Sequence, residues 1–248
     1  MSATCLTLMS ALMFAQTPAG EKAPVKAEAK AKVVFVQASP DAGAVDVLVN
    51  GKKEITDLAF GKPSEAKELA AGEAKIELKA GDKVILTYEA KLAGDKQYVI
   101  AAVGTAKEIK AQVVECKFTA GKAHVIVLNA SPDAGAVDVS VAGKDCGKGL
   151  AMGKTCESAV ESGKTEVEVK AGDAALAKKS VEAKADECCC VILAGMAKGT
   201  PKIELIAVEA KAAKHEAKPE AKPEAKPEGG AKAEPAEKKT EKPEKAQK

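Results

Sequence analysis

Two identical nonapeptides carry the oxygen-bearing side chains of this chain that are best placed to do chemistry. They run from Ser39 to Val47 and from Ser131 to Val139. Each holds two aspartates, and carboxylates suit Ca²⁺, but a Ca²⁺ site needs roughly six to eight oxygens. We favour the alternative, in which the serine and aspartate side chains hydrogen-bond backbone amides of a turn whose φ is fixed by proline. The motif residues are Ser39, Pro40, Asp41 and Asp46 in the first copy, and Ser131, Pro132, Asp133 and Asp138 in the second.

The cysteines are the second reactive group. Apart from Cys5 near the N-terminus, they are Cys116, Cys146, Cys156, Cys188, Cys189 and Cys190. An even number of cysteines in a secreted chain predicts disulfides. Cys146 and Cys156 flank a short glycine-containing segment and form the leading candidate pair. A bond from Cys146 to one of Cys188–Cys190 remains open, because spacing alone does not show which Cα atoms lie close enough to be bridged.

A thiolate metal site or thiol-redox centre at Cys188, Cys189 and Cys190 is the competing hypothesis. The chain has no Cys-x-x-Cys pair, and adjacent cysteines are poorly placed to hold a metal tetrahedrally. We therefore favour structural disulfides, and we predict no metal, no cofactor and no catalytic residue.

The remaining residue types give little support to an enzyme. His215 lies in a low-complexity tail, and we expect His124 to be a surface residue at a strand edge. Neither Ser39 nor Ser131 has a base in sight, and no carboxylate pair stands out for glycoside hydrolysis. The chain has no Trp and only 2% aromatic residues, which disfavours a sugar-stacking surface.

The motif residues belong to an internal repeat, since the same nonapeptide recurs with Ser131 92 positions after Ser39. Val45, Val47 and Val49 alternate with other residues, as in a half-buried strand, and Asn50-Gly51 predicts a hairpin turn. Val33–Val36 and Val125–Leu128 are continuous apolar runs typical of central strands. The sequence therefore predicts an all-β protein of two tandem antiparallel β-sandwiches, immunoglobulin-like or transthyretin-like. Short helical turns at 60–71 and 106–114 are the weaker alternative.

The stretches Ala38–Val47 and Ala130–Val139, with the Asn50-Gly51 turn and the Ala59-Phe60-Gly61 element, resemble the bacterial domain of unknown function 4397 family. The resemblance covers both repeats. It implies a secreted β-sandwich, often in tandem, and it implies no reaction. The second repeat departs from the pattern, because Met152 replaces Phe60 and Ala142-Gly143 replaces the Asn-Gly turn.

Composition divides the chain into five predicted segments. These are a signal peptide at 1–16, a flexible lead at 17–32, β-sandwich repeats at 33–116 and 123–209, and a disordered Lys/Glu/Pro/Ala-rich tail at 210–248. No segment reaches the roughly 18 apolar residues of a transmembrane helix. The net charge is only +2, and the lysines of the tail alternate with glutamates, so we do not expect nucleic-acid binding.

Together these patterns predict a non-enzymatic binding or structural protein that is secreted, periplasmic or held in the cell envelope. Its partner would be a cell-wall or extracellular polymer or protein. The alternative is the cysteine-centred metal-binding or thiol-redox protein.

Overall fold

The computed structural model describes residues 29–211, and all helix or strand structure within them is β-strand. We call residues up to Lys117 copy 1 and the following ones copy 2. The strands of copy 1 are β1 (Lys30–Gln37), β2 (Val45–Val49), β3 (Lys52–Leu58), β4 (Lys67–Ala70), β5 (Gly72–Ala80), β6 (Lys83–Leu92), β7 (Gln97–Thr105) and β8 (Glu108–Cys116). Those of copy 2 are β9 (Ala123–Asn129), β10 (Val137–Val141), β11 (Lys144–Leu150), β12 (Thr155–Val160), β13 (Gly163–Ala171), β14 (Ala174–Ala183), β15 (Glu187–Ala194) and β16 (Glu204–Lys211).

Each copy is a sandwich of two four-stranded sheets. The outer sheets have the orders β3-β2-β5-β6 and β11-β10-β13-β14, and the inner sheets have the orders β4-β1-β7-β8 and β12-β9-β15-β16. The predicted all-β tandem sandwiches are confirmed. Within the inner sheets, β1 pairs with β7, and β9 with β15, in parallel, a feature that the alternating pattern did not predict. The segments considered for helical turns contain β4 and most of β8.

The strands of the outer sheets follow the alternation in the sequence. In β5, Ala74, Ile76 and Leu78 are buried, and the residues between them are exposed or half-buried. The β2–β3 hairpin closes through Asn50 and Gly51, whose φ values of 51° and 80° lie in the left-handed region. Such a turn needs positive φ at both central positions, which is why the Asn-Gly pair predicts it.

Three apolar cores lie between the four sheets. One fills copy 1 around Phe35 and Ile76, and another fills copy 2 around Val127 and Val167. The third, which we call the seam, joins the two inner sheets face to face. Its buried members are Val36, Ala38, Val99, Ala101, Val103, Val114 and Cys116 of copy 1, with Ile126, Leu128, Ala130, Cys188, Cys190, Ile192, Ala194, Ile206, Val208 and Ala210 of copy 2.

The seam explains the continuous apolar runs of the inner strands. In β1, Phe35 packs in the core of copy 1, whereas Val36 packs in the seam. In β7, Ile100 and Ala101 divide in the same way. A strand that is buried on both faces reads as an unbroken apolar run. Each inner sheet is therefore covered on both faces, by the outer sheet of its own copy and by the inner sheet of the other copy.

Contacts across the seam are reciprocal. The side chain of Gln97, at the start of β7, donates a hydrogen bond to the carbonyl of Lys211 at the end of β16. At the equivalent place in copy 2, Cys188 lies beside the backbone of Lys117, just after β8. The same holds for two loops, since Gly61 lies against Glu204 and Gly153 against Gln112. The two copies therefore pack through corresponding surfaces, in a two-fold-like arrangement.

Candidate functional site

The first nonapeptide forms a loop whose polar atoms bond to the protein itself. The buried Ser39 donates its backbone N–H to Gln37 Oε1 at 3.1 Å. Gln37 Nε2 donates to the carbonyl of Gly43 at 3.0 Å, which closes the loop. Asp41 Oδ1 accepts from the backbone N–H of Ala106 at 2.7 Å. The carboxylate thus fastens the loop to the turn between β7 and β8.

The second nonapeptide repeats this arrangement. Asp133 accepts hydrogen bonds from the backbone N–H groups of Ala197 at 2.6 Å and Lys198 at 3.0 Å. Burial opposes ionisation of Asp133, but these amides and the Ser131 hydroxyl hold the pKa of its carboxyl below the usual range. Asn129 takes the place of Gln37, with its side-chain amide bonded to the carbonyl of Gly135 at 3.0 Å.

The second aspartate of each motif serves a different part of the fold. Asp46 accepts from the backbone N–H of Asp57 at 3.0 Å, and Asp138 accepts from Gly149 at 2.7 Å. A hydrogen bond from Lys53 lowers the pKa of Asp46, with help from the Asp57 amide. Asp41 and Asp46 therefore bind different segments instead of sharing one site. Over residues 29–211, the structure brings no three His, Cys, Asp or Glu side chains together to hold a metal ion.

The consecutive cysteines point to opposite sides of β15. Cys188 and Cys190 lie in the seam, whereas Cys189 lies in the core of copy 2. Burial raises the pKa of Cys189 to about 12 and raises that of Cys190 further. A thiolate is the metal ligand and nucleophile, so these positions keep the sulfurs protonated and apart. All six cysteines of the described range are free thiols.

Cys146 and Cys156 lie side by side at the edge of copy 2. They belong to β11 and β12, which are edge strands of opposite sheets. Each thiol is half-buried, and their mutual hydrogen bond lowers the pKa of Cys146 and raises that of Cys156. The sequence made this pair the leading disulfide candidate. In the structure both are free thiols, and they are not at disulfide distance.

Copy 1 shows what the thiol pair replaces. Ser64 stands at the position of Cys156, and its hydroxyl accepts the backbone N–H of Phe35 at 2.9 Å. Cys156 pairs with Val127, the counterpart of Phe35, between β12 and β9. Ile55 of copy 1 corresponds to Gly147, where an added Cβ would lie 2.9 Å from the Cβ of Cys156. Glycine thus leaves room for the side chain of Cys156.

His124 is a correction to the sequence prediction, because it is buried and not on the surface. Only 7% of the residue is exposed. Its Nδ1 lies 3.0 Å from Glu157 Oε1, and its Nε2 lies 2.8 Å from the Thr119 hydroxyl. Lys117 pairs with the same carboxylate at 2.6 Å. Burial opposes ionisation of Glu157, but Lys117 and His124 hold the pKa of its carboxyl below the usual range.

This polar cluster of Lys117, Thr119, His124 and Glu157 lies beside Cys188, since Cys188 pairs with His124 in the sheet. Cysteine, histidine and glutamate together suggest a nucleophilic triad. Both ring nitrogens of His124, however, are already bonded to Glu157 and Thr119. Contact with Cys116, together with burial, raises the pKa of the Cys188 thiol. The cluster therefore fixes the segment that connects the two copies, and it does not activate the sulfur of Cys188.

The interior of copy 1 is packed and leaves little space for a ligand. The space between its two sheets, around Phe35, Val47 and Ile76, has a free volume of about 10 Å³. That volume is at the lower limit for one water molecule. The sandwich of copy 1 thus differs from a hollow ligand-binding barrel, and recognition by this copy would use its outer surface.

Comparison with known proteins agrees with this architecture. No curated protein matches the chain. One solved structure, a candidate cell adhesion protein from Bacteroides uniformis, is 12% identical, with 74% of this chain and 99% of that chain covered. Its TM-score of 0.28 is too low to establish a shared fold. The family model described as Domain of unknown function (DUF4397) matches residues 31–140 and 123–218. The chain therefore belongs to the DUF4397 family and contains two such domains in tandem.

Proposed function

We propose that this protein is a non-enzymatic binding or structural protein of the cell envelope or extracellular space. One observation carries the proposal: in residues 29–211, the motif carboxylates and His124 are hydrogen-bonded within the protein, and the Cys188–Cys190 sulfurs are buried. Asp41 and Asp133 fasten loops, and both nitrogens of His124 are bonded within the protein. A catalytic group must be within reach of a substrate.

The charge pairs on the outer sheets favour a binding module that contacts its partner through a neutral, polar surface. In copy 1, Asp46 pairs with Lys79 across neighbouring strands. In copy 2, Lys178 bonds to Glu166 at 2.8 Å across β13 and β14. Cross-strand pairs of opposite charge stabilise a solvated sheet face. Each of these pairs is neutral, and the net charge of the chain is only +2, which disfavours a nucleic-acid partner.

The predicted signal peptide and the part of the charged tail beyond Lys211 support an envelope or secreted location and lie outside the described residues. In residues 29–211, the structure has no helix that could cross a membrane. We propose a cell-wall or extracellular polymer or protein as the partner. In an oxidising compartment we also propose a disulfide between Cys146 and Cys156, which lie on neighbouring edge strands.

Fractionation and binding test this proposal. Cells producing the tagged full-length chain should carry it in the envelope or medium, and the purified protein should sediment with isolated envelope material in a saturable way. The matched variant Asp41→Asn should keep that binding per folded molecule, because Asp41 only fastens a loop. Recovery in the cytoplasm, turnover of envelope polymer, or loss of binding in a folded Asp41→Asn protein would overturn the proposal.

A further inference from the structure

The strand directions bring both nonapeptide loops to one end of the molecule. Within each inner sheet the two central strands run in parallel, β1 with β7 and β9 with β15. Gln97, at the start of β7, bonds to Lys211, and Lys211 pairs with Glu187 at the start of β15. The central strands of both copies therefore begin at one end and finish at the other, where Gly61 lies against Glu204. We call this second end the loop end, because both nonapeptide loops follow the strands that finish there.

The flanking segments join the molecule at the opposite end. Lys30 begins β1 and Lys211 ends β16, both away from the loop end. The tips of the two loops are exposed at Gly43, Ala44, Gly135 and Ala136. Loops that a rigid scaffold presents together in this way commonly form binding surfaces.

Two exposed lysines flank the loop of copy 1. Lys107 follows Ala106, the residue whose backbone N–H binds Asp41. Lys62 follows Gly61, whose N–H donates to the last carbonyl of β1 at 2.9 Å. Both lysines are therefore placed beside the loop by backbone hydrogen bonds.

Copy 2 repeats both lysines at corresponding positions. Lys198 donates its own backbone N–H to Asp133 at 3.0 Å. Lys154 follows Gly153, whose N–H donates to the carbonyl of Asn129 at 2.7 Å. Both side chains are exposed. The loop-end lysines, as we call Lys62, Lys107, Lys154 and Lys198, thus form two equivalent pairs.

Charge partners distinguish the loop-end lysines from those of the outer sheets. Four lysines of the outer sheets each pair with a carboxylate, at Lys53, Lys75, Lys170 and Lys178. The ion pairs between residues 29 and 211 include none of the loop-end lysines. The nearby carboxylates of Asp41 and Asp133 bind backbone amides, and that of Glu108 pairs with Lys110. Ammonium groups are therefore available to a partner at two equivalent places.

We propose that the loop end binds a linear polymer with regularly spaced carboxylates, such as an acidic polysaccharide, through both lysine pairs at once. The proposal rests on the binding function proposed above and names its partner class. Two equivalent sites suit a partner whose charges repeat, because the second contact forms at a high effective concentration. The chain has no Arg, the residue best suited to bidentate phosphate binding, and neither nonapeptide has an aromatic side chain on which a base could stack.

The two copies differ in the charge beside their lysine pairs. Glu204 lies against Gly61 in copy 1, whereas the neutral Gln112 lies against Gly153 at the equivalent place in copy 2. A carboxylate repels an anionic partner, so the lysine pair of copy 2 contributes more to binding.

The test uses the purified full-length chain and polygalacturonate, a linear polymer with one carboxylate per sugar, with uncharged dextran as the blank. Replacing Lys62 and Lys107 by Gln should weaken binding about tenfold, and replacing Lys154 and Lys198 by Gln should weaken it further. The native chain should bind the long polymer more tightly than a galacturonate trimer, and loss of either pair should remove most of this gain. The matched control removes the same charge from the outer sheets by Gln at Lys53, Lys75, Lys170 and Lys178.

Equal weakening in the control and in the variant lacking all four loop-end lysines would overturn the proposal, because net charge alone would then explain binding. Absence of binding to polygalacturonate would also overturn it, as would tighter binding of polyphosphate or single-stranded DNA. Undiminished sedimentation of that variant with envelope material would rule out this surface and leave the proposed function intact. Recovery of the protein in the cytoplasm would count against the proposed function and leave binding to the pure polymer standing.

Discussion

Shortening Leu128 tests whether a change in copy 2 lowers the stability of copy 1. Leu128 is 0% exposed and packs in the seam. Leucine-to-alanine changes in packed cores cost about 2–5 kcal/mol, because the removed methyl groups leave a cavity that closes only in part. We expect Leu128→Ala to cost about 3 kcal/mol of unfolding free energy. With an m-value of about 2 kcal/mol per molar urea, the midpoint should fall by roughly 1.5 M.

The chain supplies its own probe for this experiment. It has no Trp and two Tyr, and both Tyr88 and Tyr98 lie in copy 1. Tyrosine fluorescence therefore reports on copy 1, while far-ultraviolet circular dichroism reports on both copies. In Leu128→Ala, both signals should shift to the same lower urea midpoint. Val84→Ala is the control, because Val84 is 42% exposed and should change stability by less than about 0.5 kcal/mol. An unmoved tyrosine transition in Leu128→Ala would refute the reasoning.

Two further predictions concern a turn and an ion pair. Gly104 has φ +96°, and a Cβ there would lie 2.4 Å from the carbonyl oxygen of Glu108, whereas Gly81 has φ +59° and open space. Gly104→Ala should therefore cost more than about 2 kcal/mol in urea unfolding, against about 1 kcal/mol for Gly81→Ala, and equal losses would count against this packing. The lowered pKa of Glu157 means that its stabilisation is complete above the unfolded pKa and is lost as pH falls through the folded one. Glu157→Gln should lower the melting temperature at pH 7 and lose less between about pH 5 and pH 3 than the native chain, and parallel pH profiles would contradict this assignment.

The sequence predicted those parts of the fold that depend on local pattern. Alternating valines in β2 and the Asn50-Gly51 pair follow from the pleat and from turn sterics, so the sandwich and its hairpin could be anticipated. The run Val33–Val36 indicated a central strand. It did not show which part of the chain covers the second face of β1, because apolar side chains do not identify the residues that they pack against.

The candidate site residues also divide into roles that the sequence predicted and partners that it could not identify. The loop-fastening roles of Asp41 and Asp133 were the favoured prediction, since aspartate beside proline readily bonds turn amides. Their actual donors, such as Ala106 and Ala197, lie on distant hairpins that spacing cannot identify. The burial of His124 was missed because its partner Glu157 is 33 positions away in a strand that shows no special pattern. Only the packing of β12 beside β9 brings them together.

The seam makes the stability of each copy depend on the other, since its core is built from residues of both. Copy 1 alone would expose the apolar outer face of its inner sheet, including Val36, Val99 and Val103. Large exposed apolar patches drive association. We expect that face to need copy 2, or another copy of itself, as cover.

The most direct test of the shared core is therefore to produce residues 29–118 alone and measure mass by light scattering, with tyrosine-monitored urea unfolding alongside. The account predicts that this fragment self-associates or unfolds at clearly lower urea than the intact chain, and that separately produced residues 119–211 restore a one-to-one complex. A monodisperse monomer with the tyrosine midpoint of the intact chain would contradict it, because the seam would then contribute nothing to the stability of copy 1.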